Sequence, residues 1–248
     1  MPAFRFRRFL PGSEPEPEQL AIAHGGTSLP VTFVRSDRAR RASLRVDPSR
    51  RRIVLTAPVR MSRAVAVGFA QQQAGWIAVR LERLPAHRPF VDGAELPLFG
   101  VTHVIRHRPD VRGTVWIEGR EIHVAGRSEH LSRRMRDWLV AEMRQKLVPL
   151  VHAKAHRVER TVRRITLRDN RSRWGSCAPG GALSFSWRLV FAPAEVMDYL
   201  IAHEVAHLVH MNHGPRFWAL ARILCDGPIE GPQAWLKANG ETLLQYGA

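Results

Sequence analysis

The stretch HEVAHLVHMNH, residues 203–213, places four histidines and one glutamate in eleven positions. On a helix, at about 100° per residue, His203 and His207 lie about 40° apart and one turn apart along the axis. Their imidazoles therefore converge on one point. Glu204 follows the first histidine and points to the flank, where it reaches a water bound to an ion rather than the ion itself. This is the HExxH arrangement, whose chemistry is hydrolysis by a metal-activated water with the glutamate as general base.

A catalytic zinc needs a third protein ligand and one open position. His210 and His213 compete for that role. His210 shares the helical face, yet seven residues separate it from His203 by an axial rise of about 10 Å, too far to share an ion that His207 also holds. His213 requires the helix to end first. Asn212 is a candidate for a left-handed terminating residue, and Gly214-Pro215 follows. The expected ligands are thus His203, His207 and His213, one zinc per chain, with His210 in a supporting or substrate-side position.

The elements that must hold this stretch follow from periodicity. Residues 1 to about 25, containing PGSEPEPEQ, read as a loosely ordered tail. VTFVRS, ASLRVD and RIVLTAP read as strands of an antiparallel meander, followed by a helix from about Arg63 to Leu84 with Ser62 as its N-cap. ELPLFGVTHVIRHR, TVWIEG and EIHVAG read as three more strands. A long amphipathic helix comes next, interrupted or kinked near Pro149. RRITLRD, RWGSCAP and ALSFSWRLVFAP form a small hairpin arrangement turning at Pro179-Gly180-Gly181, and a helix starting at Pro193 carries the histidines. No internal repeat is visible. The expected class is α+β: a flexible tail (1–25), a small β-rich N-terminal domain with one helix (26–126), and a helical hydrolase domain with a short antiparallel sheet (127–248).

Composition bounds the surroundings. The chain of 248 residues has a formal charge of +16, the balance of three lysines and 35 arginines against 22 acidic residues. Such a balance attracts polyanions, nucleic acid included. The arginines are densest over 35–52 and 157–173, with only Phe33 as an interleaved aromatic in the first zone, so nucleic-acid binding through an arginine-rich surface is an open possibility. Cys177 and Cys225 exclude a cysteine-based zinc knuckle and are expected to be buried thiols. No run approaches the roughly 18 apolar residues of a membrane span, and the N-terminus lacks the features of a signal peptide. A cytoplasmic location without membrane association is the expectation.

RWGSCAPGGALSFSWRLVFAP (173–193), DYLIAHEVAHLVHMNHGPRFW (198–218) and, more loosely, RARRASLRVDPSRRRIVLTAP (38–58) resemble the YgjP-like metallopeptidase family, distantly related to SprT-like and WLM-type zincin proteases. The resemblance implies a zincin-like core, zinc on His203, His207 and His213, Glu204 as catalytic base, and a peptide or protein substrate. One position departs: Ser186 stands before W-R-L where such sequences usually carry Asn. Arg173, Trp174 and Ser186 are candidate supporting or substrate-contact residues, and the hairpin containing RWGSC is a candidate edge for strand addition by substrate. Two other classes stay open. One is a metal-dependent nucleotide (phosphoanhydride) hydrolase with phosphates held by Arg168, Arg171 and Arg173. The other is a basic DNA-associated zinc protein or protease.

Overall fold

The computed structural model describes residues 17–47, 52–84, 86–170 and 173–247. They form two compact units divided after Leu84. The strands between 95 and 125 thus belong with the histidines and not, as the sequence grouping had it, with the first sheet.

The first unit contains β1 (Glu18–His24), β2 (Thr27–Ser36), β3 (Ser43–Asp47), β4 (Arg52–Pro58), α1 (Arg63–Gln72) and α2 (Ala74–Glu82). The expected tail therefore ends earlier than residue 25. Its first 16 residues lie outside the described set, while Leu20 and Ile22 alternate into the core of β1. Gly25 and Gly26, both at positive φ, turn β1 into β2, a Gly-Gly hairpin signal that the sequence reading passed over. Strand order is β1-β2-β4-β3, with β2 and β4 parallel, so the sheet is mixed and not a meander. Ser62 caps α1 by accepting from the Val65 amide. The expected single helix breaks at Gln73, whose amide turns back to the Ala70 carbonyl. Ala66, Ala70, Ala74 and Ile77 of the two helices pack with Ile22, Val31, Ile53 and Leu55.

The second unit begins with β5 (Glu95–Leu98), β6 (Val101–Arg108), β7 (Val115–Glu118) and β8 (Glu121–Ala125), followed by α3 (Leu131–Arg157). ELPLFGVTHVIRHR is two strands, because Phe99 and Gly100 both take positive φ and reverse the chain. Then come β9 (Arg164–Arg168), β10 (Gly175–Cys177), β11 (Ala182–Ser186), a 3-10 turn (Trp187–Phe191), α4 (Ala194–Ala206), α5 (Pro215–Leu224) and α6 (Glu230–Leu243). The sheet orders are β5-β6-β8-β7 and β10-β11-β9. The expected antiparallel hairpin is present as β10–β11, with Gly181 at positive φ in its turn, but β9 joins β11 in parallel.

The three sheets repeat one topology. In each, a strand pairs in parallel with the second strand after it, and the strand between them lies antiparallel on the far side: β2, β3, β4; β6, β7, β8; β9, β10, β11. A helix follows each set. No matching sequence period marks this repetition.

α3 is the spine of the second unit. Leu131, Met135, Leu139, Met143, Leu147, Val151 and Ala155 recur every four residues and are all buried. A four-residue spacing drifts about 40° per step, so the stripe winds around the helix and serves neighbours on several sides: β7, β8, β9 and α4. Pro149 lies within α3 without ending it. α4 is buried on nearly every side from Val196 to Ala206, which is what a helix apolar all round requires.

Two buried cations fix the frame. Lys154 of α3 donates to Asp198 of α4 at 2.7 Å, to the Leu224 carbonyl at 2.6 Å and to Asp226 at 3.1 Å. Arg188 joins Asp169 (2.6 Å) to the Tyr246 carbonyl (2.6 Å) behind α6. Removing one partner of a buried pair strands the other charge out of water. Lys154→Met should therefore lower the free energy of unfolding by about 3 kcal/mol in urea titrations, and adding Asp198→Asn should restore part of that loss.

Candidate metal centre and catalytic cleft

α4 presents His203 and His207 one turn apart, as the spacing predicts, and then ends at His207 rather than near Asn212. Residues 207–210 tighten into turns, with Leu208 bonded to the Val205 carbonyl and Val209 to the Ala206 carbonyl. Among the described residues only Phe99 and Glu159 are non-glycines at positive φ, so Asn212 is not a left-handed cap. The early ending has a physical cause in the ring it serves. His207 Nδ1–H donates to the His210 carbonyl at 3.0 Å, a bond that a continuing helix would have directed to an amide four residues on. It leaves Nε2 of His207 unprotonated.

The chain then returns His213 to the cluster. Its Nε2 lies 3.1 Å from Nε2 of His203, and ligand atoms of His203, His207 and His213 all lie within 4.8 Å of one another. Bonds of about 2 Å to a tetrahedral ion separate two nitrogens by about 3.3 Å, so the spacing suits one cation. Burial, with His207 and His213 adding to it, drives the His203 pKa down to about 4, and burial lowers His207 as well. These rings are neutral donors at pH 7, the form a metal requires. Phe217, fully buried, floors the cluster with its ring 4.5–4.9 Å from all three imidazoles. Its position in α5, two residues after Pro215, follows from the helix start that the Gly-Pro pair imposes.

Glu204 sits beside the first histidine and is only 5% exposed. Burial raises its pKa to about 7, opposed by the charge of Arg173. Its Oε2 is shielded from solvent and has no hydrogen-bond partner among the described residues. A carboxyl in that state is an acceptor poised near neutral pH. His203 and Glu204 open on a cleft of about 350 Å³ whose other walls include Trp174, Gly175 and Tyr199, with Gln233, Leu236 and Lys237 from α6.

A family model described as YgjP-like, metallopeptidase domain, matches residues 40–239. The chain belongs to the YgjP-like metallopeptidase family. Comparison with the curated proteins and with the solved structures gives no significant match. Membership of a metallopeptidase family implies a divalent metal and a peptide or protein substrate, and the three converging imidazoles beside a buried carboxylate fit that requirement. Among the described residues no helix is long and apolar enough to cross a membrane.

The other residues singled out from the YgjP-like motifs separate. Trp174 lines the cleft and packs on α6, where a Cβ at Gly240 would lie 3.2 Å from its indole. Arg173 is exposed and contributes its charge to Glu204 without a direct ion pair. Ser186 is fully buried, and its hydroxyl caps the 3-10 turn by accepting from the Arg188 amide. It therefore has a local structural role and no access to substrate. The backbone of His210, rather than its ring, supports His207. Cys177 and Cys225 are half-buried rather than buried, and desolvation raises both thiols, Cys177 to about 11.

Gly175 was not anticipated. It pairs with Phe185 in the β10–β11 ladder and faces Glu204 so closely that a Cβ would collide with Oε1 and lie 2.7 Å from Cγ and 2.8 Å from Cδ. Only a residue without a side chain lets the strand close over the carboxylate. Its one sequence signal was a glycine inside a strand, the usual mark of close approach. Gly175→Ala should displace the carboxyl toward water. A carboxyl-carbon NMR titration of the metal-free protein would show Glu204 falling from about 7 toward the ordinary range, and peptide hydrolysis should drop by roughly 10²-fold, the scale of a small misplacement at a reacting group.

Proposed function

We propose that this protein is a zinc-dependent endo- or exopeptidase in which His203, His207 and His213 hold one zinc and Glu204 is the general base. The observation that carries the reading is the convergence of three imidazoles beside a buried carboxylate with an unused oxygen. Three nitrogens with a fourth position left for water or substrate is the donor set of hydrolytic zinc. When bound, the ion would polarise the scissile carbonyl and acidify a water.

The protein's own groups supply the rest. Glu204, with a pKa raised to about 7 and so close to neutral pH, accepts a proton from the attacking water and returns it to the leaving amine. His207 is held in one tautomer by the His210 carbonyl. β10 is an edge strand in the order β10-β11-β9, and an extended peptide added along it would run past Gly175 toward His203 and Glu204. Tyr199, 5% exposed and with its ring 6.0 Å from that of His203, forms part of the wall against which the peptide would lie.

The test combines elemental analysis with hydrolysis of a mixed peptide library by zinc-loaded protein. Ala at 203, 207 or 213 should abolish stoichiometric zinc and cleavage together, whereas His210→Ala should retain both. Retention of zinc by His213→Ala with its loss from His210→Ala would reassign the third ligand. A zinc-replete wild-type protein that cleaves no peptide or denatured protein would overturn the function.

A further inference from the structure

The sheet that presents Gly175 to Glu204 has a second face. In a strand, side chains alternate sides, so Gly175 turns toward α4 while Ser176 turns away from it. The ladder pairs Ser176 with Ser184 and Ser184 with Thr166, a row of three hydroxyl side chains across three strands. Flanking positions on β9 are Arg164 and Arg168, both exposed, separated by about 13 Å at extended spacing. Arg164 pairs with Ala182, so small side chains leave open space between the arginines and β10. The result is a polar cleft of about 560 Å³, which Arg173 also lines.

Arg164, Arg168 and Arg173 have no ion-pair partner among the described residues, in contrast to Arg188, which is fully engaged with Asp169. The Oγ of Ser184, shielded from solvent, likewise has no partner among the described residues. Three guanidinium groups, which can only donate, give this face a cationic rim around the hydroxyl row, and such a rim selects carboxylate or another anion. Among the described residues no aromatic side chain lines the cleft, so it lacks the stacking platform that single-stranded nucleic acid uses. Its connection to the catalytic side is direct: Arg173 lines this cleft and acts on Glu204, and both clefts are built on the 174–177 segment.

We propose that this face is a specificity subsite for acidic segments of a peptide or protein substrate. The assignment rests on the peptidase reading for its substrate, and on the arrangement of Arg164, Arg168 and Arg173 for its charge preference. A chain laid along β10 would bring its scissile bond to Glu204, while acidic side chains on neighbouring residues meet Arg173 beside β10 and reach across the hydroxyl row toward Arg164 and Arg168 on β9. The net charge of +16 would draw such segments in from a distance.

The test uses full-length, zinc-loaded protein and two fluorescent peptides, one rich in Glu and Asp, the other its Gln and Asn isostere. The double variant R164Q/R168Q should lose about fivefold in kcat/KM on the acidic peptide, chiefly through KM, and change by less than about twofold on the isostere, as expected of exposed ion pairs. The preference should fade between about 0.05 and 0.5 M salt. Equal effects on both peptides, or none, overturn the proposal. Anisotropy with the same peptides on zinc-loaded protein carrying Glu204→Gln reads binding alone. If wild type cleaves nothing, tighter binding of the acidic peptide that depends on Arg164 and Arg168 still supports the subsite while the peptidase reading falls. An oligothymidylate that binds through these arginines more tightly than the acidic peptide also overturns it.

Discussion

The structure depends on the close contact between β10 and α4 at Gly175. Closing a strand over the Glu204 carboxyl removes it from water, and desolvation, partly offset by the charge of Arg173, brings an ordinary carboxylic acid to about pKa 7. A general base works best near the pH of its medium. The rest of the second unit keeps that contact in place. β11 holds β10 on one edge, α3 backs both β9 and α4, and Lys154 ties α3 to α4 by an ion pair with little access to solvent. Arg173 works in the opposite sense, favouring the carboxylate, so the balance at Glu204 is set between burial and one exposed cation.

The end of α4 meets a second constraint. Two histidines on one helix supply only two ligands, so a three-ligand site needs one from elsewhere, and a straight continuation would carry the chain away at about 1.5 Å per residue. Ending the helix at His207 solves two problems together. It turns the His210 carbonyl onto His207 Nδ1, and it shortens the path by which His213 returns to within 3.1 Å of His203. Phe217 then packs under all three rings. The expense is a group of helix-terminal amides and carbonyls satisfied by tight turns in place of regular helical bonds.

Much of the site was legible because its chemistry is local. The i, i+4 spacing of His203 and His207, Glu204 between them, and Gly214-Pro215 beyond His213 all act within a few turns of chain, and periodicity reads such features directly. The point at which α4 ends was misplaced by about five residues, since the competing interaction, a side chain to a backbone carbonyl, leaves no mark in composition. Gly175 was overlooked because its partner is 29 positions away in sequence. Sheet topology failed for a related reason. Alternation identifies a strand and its buried face, but the parallel pairing of β2 with β4, or β9 with β11, depends on which neighbour the fold brings alongside. The same gap hid the threefold repetition of that pairing, which is carried by topology and not by recurring residues. The boundary after Leu84 was missed because strands on both sides share the same pattern, and only the α3 stripe shows which of them it covers.

The charge distribution links the two faces of the β9–β11–β10 sheet. One face is apolar apart from the strand edge at Glu204, and the other presents hydroxyls and arginines. The account therefore places proton transfer and charge recognition on opposite sides of three short strands, with Arg173 between them. Its central claim is that Glu204 performs the proton transfer without holding the metal. The most direct measurement is peptide hydrolysis by the Glu204→Gln protein, with zinc content determined on the same sample. The account predicts full zinc occupancy and a rate at least about 10²-fold below wild type; hydrolysis at the wild-type rate by the zinc-loaded variant would contradict it.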